Sequence, residues 1–287
     1  AIGDTIFVGA FEEFGFFSPN TSGMLVYTSL VSLVPQEFRS FDEIWKIHST
    51  DQGIIFQSFK HLFIYNGSSI KVSSPFGTFG HSYQVGKTFY YVDLPSGLYN
   101  FAEGEQLMLI KHPLLQSNEL RCILPFEKGK VLVGFINEGL FIFDGDKLTP
   151  WNTDVNNAIM HSSIFSARQL SNGDYAFGTI QNGLYIADAQ GRVLQHLNRF
   201  KGLQNNTVLC MFEDRSGNLW LGLDNGIDYI EINSPLSIFD HTFHIESTYS
   251  SVVYEGRLYV GTNQGLFVAP MNQLDKNGEL QDNFEFI

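Results

Sequence analysis

Basic residues are scarce in this chain: 17 lysines and arginines stand against 30 aspartates and glutamates among 287 residues, a formal charge of −13. Proteins hold nucleic acid largely by placing clustered Lys and Arg against phosphates, and no such cluster is present. No nucleic-acid binding is expected, and anionic membrane surfaces are equally poor partners. Long apolar runs are missing too. The longest, Met24 to Val34, is broken by Thr28, Ser29 and Ser32 and is too short to cross a bilayer as a helix, so no membrane insertion is expected. Cysteine is nearly absent. Cys122 and Cys210 each sit in an apolar run, which predicts two buried small hydrophobes and gives neither a disulfide scaffold nor a thiolate metal site. Amphipathic runs of helical period are lacking as well, which weighs against an α or α/β fold.

What the chain has is aromatic residues and punctuating glycines. Phe, Tyr and Trp make up 15% of the residues, with 27 Phe, while the charged fraction is only 16%. Aromatic side chains suit a pleated, half-buried surface. The clearest unit runs from Thr207 to Ile230: a strand, a polar turn with Gly217, a second strand carrying Gly222, a short loop with Gly226, and a third strand. The frame recurs at Gly173, Gly178 and Gly183, at Gly129, Gly134 and Gly139, and at Gly256, Gly261 and Gly265. Weaker copies surround Gly3 and Gly9, Gly53 and Ser58, and Gly86 and Asp93.

The first-turn glycines are spaced 50, 33, 43, 44, 44 and 39 residues apart, about 42 on average. That is the length of one four-stranded propeller blade. Short strands at a fixed period predict an all-β, seven-bladed β-propeller spanning residues 1–287 as one domain. The second glycine of each copy is read as a place where neighbouring blades come close. The chain opens at its first turn, so the first blade is expected to lack its innermost strand, and Asn283 to Ile287 reads as an outer strand after the seventh copy. The segment reads as a fragment of a longer chain.

The stretch Gly202-Leu203-Gln204-Asn205-Asn206-Thr207-Val208, followed by Glu213 to Gly222, resembles the regulator-propeller repeat of bacterial sensor-regulators of the Bacteroidetes type. Phe7–Gly15, Asp42–Trp45, Leu148–Asn152 and Gly226–Pro235 are similar to the subgroup ending in a triple-tyrosine domain and a LuxR-class helix-turn-helix. The resemblance implies a periplasmic sensing part of a signal-transduction or transcription regulator, often one that senses oligosaccharides. Its partners would be a small-molecule or oligosaccharide ligand, an adjacent propeller or triple-tyrosine domain of the same chain, and in one alternative an identical subunit. Departures exist: no triple-tyrosine domain, membrane helix, kinase core or DNA-binding helix is visible here, and Ser58 and Asp93 stand where the repeat has glycine.

Catalytic constellations are not evident, so this segment is expected not to be an enzyme and to need no cofactor. Of eight histidines only His241 and His244 are close in sequence, without an acidic or Cys partner at metal-ligand spacing. Glu12 and Glu13 form a carboxylate pair after the second strand, but adjacent strand residues point to opposite faces. Asp214, ahead of a Gly turn, is expected to bond the turn backbone.

A propeller displays the loops between second and third strands on one face. Here they are Phe11-Glu12-Glu13-Phe14, Phe59-Lys60, Leu94-Pro95-Ser96, Ile136-Asn137-Glu138, Ile180-Gln181-Asn182, Asp224-Asn225 and Asn263-Gln264. Amides that both donate and accept, beside aromatic faces, suit a neutral sugar. The plainer alternative is that Asn, Asp and Gly make good turns. Trp45, Arg121 and Arg168, on or near innermost strands, are candidates for the channel lining or for packing between blades. Two other functions remain open from sequence: a protein-interaction platform, and a propeller lyase or hydrolase.

Overall fold

A computed structural model describes residues 2–102, 105–116, 119–232, 234, 245, 247–271 and 284–287. The described strands form seven antiparallel sheets. The first holds β1 (Ile6–Ala10), β2 (Glu13–Pro19) and β3 (Leu25–Ser29). The second holds β4 (Lys46–Thr50), β5 (Gly53–Gln57), β6 (Leu62–Tyr65) and β7 (Ile70–Ser73). The third holds β8 (Thr78–Val85), β9 (Thr88–Leu94), β10 (Gly97–Ala102) and β11 (Glu105–Ile110), and the fourth β12 (Leu120–Pro125), β13 (Val131–Phe135), β14 (Gly139–Phe143) and β15 (Leu148–Pro150). A short helix, α1 (Asp154–Ile159), precedes the fifth sheet of β16 (Ile164–Gln169), β17 (Tyr175–Thr179), β18 (Leu184–Ala187) and β19 (Val193–Leu197). The sixth holds β20 (Val208–Glu213), β21 (Leu219–Leu223) and β22 (Ile227–Ile230), and the seventh β23 (Thr248–Tyr254), β24 (Arg257–Thr262), β25 (Leu266–Pro270) and β26 (Glu285–Phe286). Among the described residues all three strands of the first sheet follow Gly3, and Ile2 ahead of it makes only an isolated bridge to Thr5. Pairing of β26 with β25 makes the last residues an outer strand.

The first-turn glycines carry the repeat for a local reason. Gly217 sits at φ +78° in the link from β20 to β21, with its N–H donating to Asp214 O at 3.1 Å. A side chain is strained there and glycine is not. The other six first-turn glycines are also at positive φ. Asp214 behaves as expected, accepting from Ser216 N at 2.8 Å and Asn218 N at 3.1 Å. Those backbone bonds hold its carboxyl below the usual aspartate range.

The second glycine does something the repeat pattern did not reveal. It lies inside the second strand, opposite a β-bulge of the first: Gly134 faces Cys122, Gly178 faces Ser166, Gly222 faces Cys210 and Gly261 faces Ser250. A Cβ on Gly178 would fall 2.5 Å from Ser166 Oγ, on Gly222 2.5 Å from Cys210 Sγ, and on Gly261 2.7 Å from Ser250 Oγ. The glycine thus makes room for a cross-strand neighbour of its own sheet. The expected approach of neighbouring blades is found at Gly178, where a Cβ would also fall 2.7 Å from Val208 Cγ1 of β20, and at Gly9, where it would fall 2.5 Å from Ile44 Cγ2 ahead of β4.

The chain divides into two compact units, residues 1–135 with 141–149 and residues 136–140 with 150–287. In the first unit two buried clusters are rich in aromatics, while another, around Leu98, Leu120, Val131 and Val133, is mainly aliphatic. Phe14 lies 4.5 Å from Phe56 and 5.0 Å from Phe63 between ring centroids, and Phe79, Phe89, Tyr91, Tyr99 and Phe101 fill a second cluster. In the second unit the larger buried cluster is aliphatic, built from Leu170, Leu184, Ile186, Leu203, Val208, Leu219 and Leu221 with their neighbours. The cysteine expectation holds for one residue. Cys122 is buried, which pushes its thiol up to about 12. Cys210 is exposed, because β20 buries Val208 fully and leaves Leu209 and Cys210 outward.

Candidate functional site

In the second unit the amide-rich loops are knitted into the protein itself. Asn182 donates from its side chain to Tyr185 Oη at 2.5 Å, and its carbonyl contacts His196 Nε2 at 2.7 Å. Asn137 accepts from Ser163 Oγ at 2.9 Å. Gln181 O accepts from the Asn206 side chain at 3.1 Å, and Thr207 Oγ1 donates to Ile180 O at 2.8 Å. Asp224, Asn263 and Gln264 are held through backbone N–H groups, at 3.1 Å to Thr207 O, 3.1 Å to Ser247 O and 3.0 Å to Thr262 Oγ1. Side chains of Glu138, Gln181, Asp224, Asn225, Asn263 and Gln264 are exposed. The Gly202–Val208 motif is therefore a clasp. Gly202 caps a 3₁₀ turn at φ +97°, Leu203 and Val208 enter the core, and the Gln204 side chain donates to Asp228 Oδ1 at 2.8 Å. Asn206 also accepts from Arg199 N at 2.8 Å.

Arg168 belongs to this framework. Its Nε lies 3.9 Å from Glu213 Oε2 and its guanidinium 5.9 Å from the Phe212 ring centroid, both on β20. That is packing between sheets. Asn156, on α1, acts as a surrogate strand: its buried side chain accepts from Leu140 N at 2.7 Å and donates to Leu140 O at 3.3 Å. No sequence pattern marked it, since its partner is the backbone 16 residues away.

In the first unit the loops differ in kind. Glu12, at φ +50°, is in the β1–β2 loop, whereas Glu13 is the first residue of β2 and not a loop residue. Glu13 accepts from Tyr27 Oη at 2.8 Å and Ser29 Oγ at 2.7 Å, so its carboxylate braces β3 rather than pairing with Glu12. Burial, then the bond to Glu13, pushes the Tyr27 hydroxyl up to about 12. Around Glu12 the loops of three sheets are tied by hydrogen bonds. Phe11 bridges Glu43, Phe59 N donates to Asp42 Oδ1 at 2.9 Å, and Phe79 N donates to Phe59 O at 3.1 Å. Phe76 N and Gly77 N donate to buried Asp93 at 2.8 and 2.9 Å. Above this lattice Phe11 is 70%, Trp45 49% and Phe76 76% exposed, with Trp45 set 4.9 Å from Phe59. Exposed aromatic faces on these segments can stack on a sugar ring, and the exposed carboxylates of Glu12 and Glu43 can accept its hydroxyls. Phe11 was legible as a residue of the first of these loops, whereas Phe76 escaped the sequence reading because a single Phe in a loop has no periodicity.

Arg121 lies on β12, half-buried, at the residue the bulge leaves out of register. Among the described residues no three His, Cys, Asp or Glu side chains converge as metal ligands. His241 and His244 lie outside the described residues.

Residues 202–225 match the family model described as two component regulator propeller. No curated protein matches the chain in sequence. Among solved structures the chain is similar to the extracellular domain of BT3049 from B. thetaiotaomicron, named for a hybrid two-component system, at 18% identity and TM-score 0.54 over 85% of this chain and 34% of that one. It is similar to the extracellular domain of BT4673 from the same organism at 20% identity and TM-score 0.57, over 99% of this chain and 39% of that one. Virginiamycin B lyase from Staphylococcus aureus is similar at 9% identity and TM-score 0.56, over 90% and 86%. The fold is a seven-bladed β-propeller. At these identities the likeness speaks for the fold and for nothing finer, and the chain spans little more than a third of the two sensor domains.

Proposed function

We propose that this propeller is the extracytoplasmic sensing part of a bacterial signal-transduction regulator, that it binds an oligosaccharide, and that it performs no catalysis itself. The observation that carries the reading is the loop face of the first unit, where Phe11, Trp45 and Phe76 stand exposed on a hydrogen-bonded base beside Glu12 and Glu43. The regulator-propeller match at residues 202–225 and the extracellular sensor domains among its structural neighbours support the signalling context. Output would pass to adjoining parts of a longer protein, a triple-tyrosine domain and a LuxR-class DNA-binding domain in the subgroup it resembles, and so to transcription. A ligand drives such an output only through different affinities for two states of the sensor.

Trp45 supplies the test. Titration with a panel of oligosaccharides should change tryptophan fluorescence and raise the melting temperature, since a ligand of the folded state stabilises it. Trp45→Ala should abolish the response while keeping the fold. No response across the panel, from soluble folded protein, would defeat the reading.

A second reading, a protein-interaction or dimerisation platform, has one observation in its favour. Every residue of β23 is exposed, including Tyr249 at 77%, Val252 at 60% and Tyr254 at 62%. Contiguous apolar surface of this kind marks interfaces. Light scattering across a concentration series would reveal self-association, and Val252→Glu would reverse it.

A further inference from the structure

The protein is strongly acidic, yet the first strands of the second, third and fourth sheets reverse the sign. β4 reads Lys-Ile-His-Ser-Thr, β8 Thr-Phe-Gly-His-Ser-Tyr-Gln-Val and β12 Leu-Arg-Cys-Ile-Leu-Pro. Together they carry Lys46, His48, His81 and Arg121 and no carboxylate, in a chain with 30 acidic residues. All three strands belong to the first unit, and β8 packs beside both β4 and β12.

The backbone aims these groups. His81 and Arg121 are each bulge residues: the register of β8 shifts between Phe79 and Ser82, and that of β12 between Leu120 and Cys122. A bulge re-aims the residue it frees from the ladder, and bulges concentrate beside binding sites. Bonds between the strands fix the arrangement. His48 Nε2 lies 2.9 Å from Ser82 Oγ, Ser82 Oγ donates to the Gln57 side chain, and Tyr83 Oη donates to Leu120 O at 2.9 Å. Lys46 is exposed and directly follows Trp45 of the aromatic face, while His81 and Arg121 are half-buried.

We infer that Lys46, His81 and Arg121 form a site for an anionic group of the ligand, the carboxylate of a uronic acid or a sulfate ester, so that the oligosaccharide read by this propeller is acidic. The inference rests on the oligosaccharide reading and narrows it. A guanidinium, an ammonium and an imidazole offer charge-assisted donors to such oxygens, and partial burial strengthens them. The electrostatics of His81 agree. Burial, then Arg121, then Lys46 lower it to about 4, so it is neutral without ligand. Arg121 of β12 and Lys46 of β4 act on its charge, His48 of β4 is bonded to the neighbouring Ser82, and β9 sets Tyr91 opposite Ser82 and Asp93 opposite Phe79. The Asp93 carboxylate is taken by the N–H groups of Phe76 and Gly77. An anion placed among the cations would offset their repulsion and let His81 take up a proton on binding.

Calorimetry distinguishes the outcomes with four probes: a uronate oligosaccharide, a sulfated oligosaccharide, the carboxyl-reduced neutral counterpart, and inorganic sulfate alone. Binding of an acidic probe with little binding of the neutral one is expected, and the acidic probe that binds names the anionic group. Lys46→Gln, at an exposed position that leaves the fold intact, and Arg121→Gln should each weaken binding about tenfold or more. Affinity should rise as pH falls from about 7.5 to 5.5, by up to about tenfold per unit for one linked proton, and His81→Gln should flatten that slope. Equal binding of neutral and acidic oligosaccharides, untouched by Lys46→Gln, would overturn the anion site and leave the sugar-sensor reading standing. Binding of inorganic sulfate with no oligosaccharide would overturn the acidic-sugar assignment, and silence from all four would take both readings down.

Discussion

The two units solve one repeat in different ways. In the second unit the middle strands keep the glycine of the pattern, and the space it leaves takes a Ser or Cys side chain from the bulged first strand, as at Gly178 with Ser166 and Gly222 with Cys210. In the first unit Gly9 and Gly134 keep it too, but in the second and third sheets Ser58 and Asp93 stand where it is expected, and both are buried. Ser58 Oγ accepts from Lys60 N at 3.1 Å and His61 N at 3.0 Å, and Asp93 accepts from Phe76 N and Gly77 N. At these two positions a side chain bonds the loop backbone where the repeat pattern has glycine. The clusters around these two loops are rich in aromatics, whereas the larger cluster of the second unit is aliphatic. A repeat that looks degenerate in sequence has therefore exchanged one way of holding its loops for another, and the exchanged unit carries the exposed aromatics and the cationic strands.

The sharpest way to break this comparison is to restore the pattern. Asp93→Gly returns the repeat residue and should nonetheless destabilise the protein by about 4 kcal/mol, because two N–H groups lose a charged acceptor and the chain gains freedom when unfolded. Denaturant unfolding would measure it, and a neutral or stabilising result would mean that Asp93 is not the support of that loop. The converse change, Gly178→Val, should cost about 3 kcal/mol through overpacking against Ser166 and Val208. A tolerated valine there would show that the second-strand glycine does not admit its cross-strand neighbour.

Acid should weaken the first unit by a different route. Burial, then Lys46, lowers His48 to about 4. The unfolded chain then binds that proton first as the pH drops, so the stability His48 contributes is whole above about pH 6.5 and is lost on the way down to about 4. The loss is on the order of 3 kcal/mol. Comparing unfolding of the native protein with His48→Gln across that range isolates it from the carboxylates, and parallel curves would rule it out.

How far the sequence leads is visible in the same contrast. Glycine spacing placed seven sheets and every loop between second and third strands, because a residue at positive φ or beneath a close neighbour leaves a local mark. Asp214 was legible for that reason, the N–H donors to its carboxylate lying two and four residues ahead. Glu13 was misplaced because its partners, Tyr27 and Ser29, are on the neighbouring strand. Arg121 was legible as a candidate for the channel lining, but its proposed grouping with Lys46 and His81 was not, because the three come from strands some 40 residues apart and pairing across sheets has no signature in a single chain. Cys210 was misjudged because an apolar run does not say which of its residues a bulge will turn outward.

The smallest effect separates a turn residue from a contact residue. Asn182 and Asn225 occupy equivalent loops of adjacent repeats in the second unit, and the amide reading of that ring treats them alike. The structure does not: Asn182 bonds Tyr185 Oη and meets His196, while the Asn225 side chain is exposed. Asn182→Ala should cost about 1 kcal/mol for the lost bonds, whereas Asn225→Ala should stay within about 0.5 kcal/mol of native. Thermal unfolding of the pair gives the stability half. The same two proteins titrated with whichever oligosaccharide binds give the other half, and neither should lose affinity if recognition belongs to the aromatic face of the first unit. A loss confined to Asn225→Ala would move recognition to the amide loops of the second unit.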